Sequence, residues 1–171
     1  MWLLSDERND AVLERSLKRL PRHSAFVFRH YHLPDPERYV RFEALRRIAK
    51  AHGHVVILAD SAITAREWGA DGVYGAPKAL YPSRNTLITA ATVHNMKELG
   101  QANRFGADFS LISPVFATRS HQNAKTLGSI RFRTLAAYAK MPVIALGGMN
   151  LESALRLRWP SWAAIDGLSA L

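Results

Sequence analysis

The sequence contains no cysteine, which excludes disulfides, a thiolate metal centre and a cysteine nucleophile, and permits a reducing compartment. No apolar run approaches the length needed to span a bilayer. The opening residues Met1 to Asp6 are too few and too soon acidic for a secretory signal, so the expected location is the cytoplasm. Acids are scarce, 14 against 23 lysines and arginines, and the net charge of +9 leads us to expect an anionic partner. A glycine-rich dinucleotide turn is missing after the first apolar run, where Ser5-Asp6-Glu7-Arg8-Asn9 stands. That argues against a doubly wound nucleotide-binding sheet.

What is present is regular alternation. With 171 residues, 48% of them hydrophobic, the chain has material for one globular domain covering 1–171. Apolar or β-branched runs at Trp2–Leu4, Ala25–Phe28, His54–Leu58, Gly72–Tyr74, Thr86–Ala91, Phe109–Ser113, Pro142–Leu146 and Ala163–Gly167 read as strands. Helical patterns separate most of them, for example Met96, Leu99 and Ala102, or Leu151, Leu155 and Trp159. Eight such steps predict an α/β fold, a compact TIM (β/α)8 barrel. The last strand is followed almost at once by Leu171, so the last outer helix is expected to be missing or truncated. The exposed flank would then be covered by a second subunit, as in a homo-oligomer, or by the N-terminal region.

Much of the positive charge falls between Glu37 and Arg47, where Phe42, Leu45 and Ile48 recur at near-helical spacing. The arginines are read as the solvated side of an amphipathic helix. Nucleic acid is not the expected partner, because neither an aromatic-rich strand nor zinc-finger spacing accompanies the charge.

In such barrels the working face lies at the C-terminal strand ends. These carry Asp6, Arg29, Asp60, Tyr74, Thr92 with His94, Ser113 through His121, Gly147-Gly148 and Leu168-Ser169. The double glycine between an apolar run and a helix start can turn bare amides and a positive helix end toward an anion. Asp166-Gly167-Leu168-Ser169 repeats the pattern, and barrels often bind phosphate between these two loops.

On these motifs the chain resembles the thiamine phosphate synthase and TenI family. Val27-Phe28-Arg29, Ala59-Asp60, Gly69-Ala70-Asp71-Gly72-Val73-Tyr74, Thr92-Val93-His94-Asn95, Gly106-Ala107-Asp108-Phe109 and Ser113-Pro114-Val115-Phe116-Ala117-Thr118-Arg119-Ser120-His121 fall on the family's recurrent pieces. The resemblance implies a transferase that joins hydroxymethylpyrimidine diphosphate to a thiazole phosphate and releases pyrophosphate. Cationic groups and Mg²⁺ would neutralise the leaving group. It implies Arg29, Asp60, Thr118, Ser120 and His121 as catalytic groups, with Thr92, Gly147, Gly148, Leu168 and Ser169 holding phosphate. Asp60 would be the metal ligand.

Some positions depart from the family's pattern. Tyr31 stands for a lysine, Ala59 for an asparagine, and His121 for a lysine. No second acid follows Tyr74 through Leu80, so Mg²⁺ would be delivered with the diphosphate, and Lys78 is a candidate to replace part of its charge. His94, just before a helix, reads as structural. Two alternatives stay open: a TenI-like thiazole tautomerase, whose expected histidine position is Pro114 here, and a non-catalytic binder of thiazole or thiamine phosphates.

Overall fold

The computed structural model describes residues 1–81, 86–118 and 125–168. Eight strands lie parallel: β1 (Trp2–Leu4), β2 (Ala25–Phe28), β3 (Val55–Leu58), β4 (Gly72–Gly75), β5 (Ile88–Val93), β6 (Phe109–Ile112), β7 (Val143–Ala145) and β8 (Ala163–Ala164). Each pairs with its sequence neighbour from β1 to β7, and β8 joins the outer edge of β1. A parallel bridge from Ala145 to Trp162 brings β7 to β8 and closes the barrel.

Six helices lie outside among the described residues: α1 (Leu13–Arg19), α2 (Asp35–Ala51), α3 (Ala62–Glu67), α4 (Met96–Phe105), α5 (Gly128–Ala137) and α6 (Leu151–Leu157). None is long and apolar enough to cross a membrane.

Strand alternation divides the core in two. Inward-facing Leu4, Val27, Ile57, Tyr74, Ala90, Leu111, Ile144 and Ala163 form one cluster. Outward-facing Phe26, Phe28, Val56, Val73, Ala91, Ile112 and Ala145 join Leu17, Phe42, Leu99 and Phe132 of the helices in the other. Alanines at 25, 59, 90 and 163 keep the interior narrow enough to fill with side chains. Trp2 meets Phe109 edge to face, with ring centroids 5.1 Å apart, at the N-terminal end.

The two Gly-Ala-Asp segments are one device used twice. Gly69 and Gly106 take left-handed φ values of +70° and +66°, a conformation that ends a helix at little cost only for glycine. The aspartate that follows accepts from the amide of a neighbouring strand, Asp71 from Val56 at 2.7 Å and Asp108 from Thr89 at 2.8 Å. These motif residues therefore dock helix onto strand rather than face the cavity.

Two sequence expectations change. The last strand stops at Ala164, and Asp166–Leu168 forms a 3-10 turn, with Asp166 paired to Arg8 at 3.2 Å. The arginines of α2 are not all solvated: Arg38 is only 5% exposed. It lies four residues before Phe42, so the spacing that buries Phe42 carries Arg38 to the same face.

Two buried histidines tie the fold to pH. His54 donates Nε2–H to Leu17 O at 2.9 Å, while its Nδ1 is buried without a partner among the described residues. His30 bonds Ser5 Oγ at 2.8 Å and Asp10 at 2.7 Å. Burial pushes both imidazoles below their ordinary range, outweighing the Asp10 carboxylate at His30. A depressed histidine pKa means that the unfolded chain binds the extra proton more readily. Stability from the neutral rings is complete above the unfolded pKa of about 6.5 and is lost as pH falls toward the folded pKa. Melting midpoints should therefore drop between about pH 7 and pH 5, before carboxylates titrate, and His54→Gln should flatten that limb. A midpoint independent of pH over this interval would contradict the assignment.

Candidate active site

A cavity of about 480 Å³ opens at the C-terminal ends of the strands. Its floor and walls come from several strands: Arg29 after β2, Tyr74 in β4, Ser113 after β6, Leu146 after β7 and Ile165 after β8. Pro114, Ala117 and Thr118 form one side, and Gly147 through Asn150 the adjoining one.

Arg29 is fixed before any ligand arrives. Its backbone amide donates to Ser5 Oγ at 2.8 Å, its Nε to Ser5 O at 3.0 Å, and its Nη2 to Asp6 at 2.6 Å. Burial alone would raise the Asp6 pKa, but hydrogen bonds from Arg8 and the Arg29 charge hold it below the usual carboxylate range. The Tyr74 hydroxyl beside Arg29 is pushed up to about 12 by burial. It stays protonated at neutral pH and serves as a neutral hydrogen-bonding group.

The glycine pair backs directly onto the 113–118 loop. Val115 N donates to Leu146 O at 2.9 Å and Phe116 N to Gly147 O at 3.0 Å; the Ser113–Pro114 peptide is cis. A Cβ on Gly147 would lie 2.7 Å from Pro114 Cα, and one on Gly148 would strike Ala117 O and come within 2.8 Å of Phe116 Cβ. Both φ values are left-handed, +91° and +62°. Glycine is required twice over, by conformation and by space. The amides of Gly147 and Gly148 donate to no acceptor among the described residues, so they are available to an anion. At the start of α6 a capping box uses two amides: Asn150 Oδ1 accepts from Ser153 N, and Ser153 Oγ accepts from Asn150 N, both at 2.8 Å. The Gly147-Gly148 part of the expected phosphate cradle thus lies at the cavity wall.

The other expected residues divide. Thr118 lines the cavity with Arg29, Gly147 and Gly148, and Thr92 shares the inward register of Ala90 on β5. Leu168 puts its side chain into the outer core, where it is 2% exposed. Ser120, His121 and Ser169 lie outside the described residues. Lys78 is exposed and takes no part in the cavity wall.

Asp60 is held elsewhere. Its Oδ2 accepts from Arg38 Nη1 at 2.6 Å and its Oδ1 from Ser61 N at 2.7 Å, and it is not among the cavity-lining residues. Burial opposes ionisation, yet these bonds and the Thr64 hydroxyl keep its carboxyl below the usual range. Mg²⁺ calls for near-octahedral oxygen ligation, usually one or two carboxylates free to reach the ion. With one Asp60 oxygen bonded to Arg38 and the other to Ser61 N, and no carboxylate from Gly75 through Leu80 to share the ion, the donor set does not fit a resident ion at Asp60.

His94 was read from sequence as structural, but it lines the cavity. Glu98 Oε2 lies 2.7 Å from the His94 amide and 2.8 Å from Nδ1. A carboxylate on Nδ1 places a proton on that nitrogen and fixes the ring's orientation. The i,i+4 spacing of His94 and Glu98 was the available signal.

Because no Cβ fits at Gly148, Gly148→Ala should displace the 114–118 loop. We expect a stability loss of about 1–3 kcal/mol by denaturant titration and pyrophosphate affinity reduced by about tenfold in calorimetry. Wild-type pyrophosphate affinity in a folded Gly148→Ala protein would mean that the 114–118 loop does not hold that anion.

Comparison with known proteins agrees with this architecture. The model of a family described as thiamine monophosphate synthase matches residues 3–169. The thiamine-phosphate synthase of Pyrococcus furiosus is 26% identical across all of this chain and 84% of its own length. That of Caldicellulosiruptor saccharolyticus is 27% identical over 85% of this chain and 68% of its own. A solved structure, thiamine phosphate pyrophosphorylase from Pyrococcus furiosus, superposes with a TM-score of 0.82 at 24% identity, covering 99% of this chain and 87% of that one. The parallel barrel, the cavity at its C-terminal rim and a family match spanning almost every residue lead to one conclusion: the chain belongs to the thiamine monophosphate synthase family.

Proposed function

We propose that this protein is a thiamine-phosphate synthase, a cytoplasmic transferase joining hydroxymethylpyrimidine diphosphate to a thiazole phosphate. The observation that carries the reading is the convergence of Arg29, Thr118 and the Gly147-Gly148 amides, from three different strand ends, on one cavity. Two anionic groups must be held in such a reaction, and this set offers a guanidinium, a hydroxyl and backbone N–H donors.

In the reaction the bond between the pyrimidine methylene and the diphosphate oxygen breaks, and its electron pair leaves with pyrophosphate. Charge that grows on the departing oxygens is met by Arg29, whose orientation is set in advance by Ser5 and Asp6. Thr118, together with Ser120 and His121, supplies further donors to the leaving group. The thiazole nitrogen then attacks the electron-poor methylene and forms the new C–N bond. Gly147, Gly148, Thr92, Leu168 and Ser169 hold the thiazole phosphate. Mg²⁺, where present, accompanies the diphosphate as its counter-ion. The tautomerase alternative gains nothing at Pro114, whose ring offers no proton acceptor.

Incubating the protein with both substrates should yield thiamine phosphate and pyrophosphate in equal amounts by chromatography. Arg29→Ala should lower kcat/KM by about 10²–10³, since a transition-state contact to the leaving group is lost. Binding of the thiazole phosphate with no product under any condition would overturn the synthase reading in favour of a binder.

A further inference from the structure

The acids that follow strand ends on the cavity side are each already faced by a guanidinium. Asp6, after β1, takes Arg8 at 2.8 Å and Arg29 at 2.6 Å. Asp166, after β8, takes Arg8 at 3.2 Å. Asp60, after β3, takes Arg38 at 2.6 Å. Of the three, Asp60 is the most tightly committed, because its partner is the most buried.

Arg38 reaches the strand ends from the first turn of α2, and every side of its guanidinium is used. Nη2 donates to Ala59 O at 3.1 Å and Nε to Arg29 O at 3.2 Å. Its central carbon lies 5.4 Å from the Trp68 ring centre, 5.8 Å from that of Tyr31 and 5.9 Å from that of Phe28, within the range of cation–π attraction. Turning Asp60 toward a metal would strand this cation where little water can reach it. On the next strand end, Gly75 through Leu80 supply no carboxylate to complete a site.

We infer that Asp60 is the counter-ion of Arg38 and not a metal ligand, and that a divalent cation enters this site only as the complex of a diphosphate. The second half rests on the synthase reading and specifies its ligand: a metal–diphosphate complex bound through the anion, with the ion carried on diphosphate oxygens and water. Asp60 then holds Arg38, which grips the Arg29 carbonyl, in place, and its role is structural.

The test is paramagnetic resonance of Mn²⁺ added to the full-length protein, first alone and then with inorganic pyrophosphate, for the wild type and Asp60→Asn. We expect Mn²⁺ alone to stay free and its pyrophosphate complex to be captured. Asp60→Asn should keep that capture within about twofold while lowering the thermal midpoint on the order of 5 °C. One Mn²⁺ bound by the wild type alone, and weakened about tenfold or more by Asp60→Asn, would overturn the inference. Mn²⁺ taken up equally by both proteins without pyrophosphate would overturn its second half, as would failure to capture the complex. Should Asp60→Asn not fold, the wild-type titration decides. No turnover enters these readouts, so a protein that binds the complex but makes no thiamine phosphate would sink the synthase reading and leave this one standing.

Discussion

The rim of the barrel depends on charge pairing inside its own walls. Arg29 stands at the cavity with 15% of its side chain exposed, and Asp6 faces it at 2.6 Å. An isolated guanidinium there would draw in water or a foreign anion, and an isolated carboxylate would repel the ligand. Joined through Ser5, they hold β1 and β2 in register at the point where chemistry is proposed. The next layer repeats the principle, with His30 bridging Ser5 to Asp10 and Arg41 closing on Asp10 at 2.8 Å. The N-terminal turn, the second strand and the basic helix are thus parts of one electrostatic frame.

That frame explains what could and could not be read from sequence. The order of strands was legible because apolar runs of strand length alternate with helical spacing, and the two Gly-Ala-Asp turns mark helix-to-strand returns. Gly147 and Gly148 were legible as well, since a double glycine between strand and helix has few other uses. The role of Arg38 was not. Periodicity alone puts residues 38, 42, 45 and 49 on one face, and all four are buried, but an arginine at that position reads as solvent until its acid, 22 residues away at Asp60, is brought to it. Asp60 illustrates the same limit: a motif names a carboxylate without naming its neighbour.

His94 shows a subtler limit. Its place after β5 and before the α4 cap at Asn95 suggests a backbone role, and Glu98 does accept from its amide. The same oxygen also fixes the ring, and only three-dimensional placement turns that ring toward the cavity wall. The charge surplus misled less than it revealed. Much of the α2 charge is balanced locally, Arg41 by Asp10 and Glu14, Arg46 and Arg47 by Glu43, so net charge alone does not mark where a ligand is met.

The edge-to-face contact of Trp2 with Phe109 stoppers the barrel at its N-terminal end. The interior above them is filled by Leu4, Val27, Ile57, Leu111 and Ile144, so among the described residues the cavity has no opening toward that end. Reactants closed off from that end have to queue at the rim. Whichever reactant sits deeper enters first, and the molecule nearer the mouth departs before the deeper one can follow. Order of arrival and release would then be a property of the plugged floor, written at the end of the barrel farthest from the chemistry.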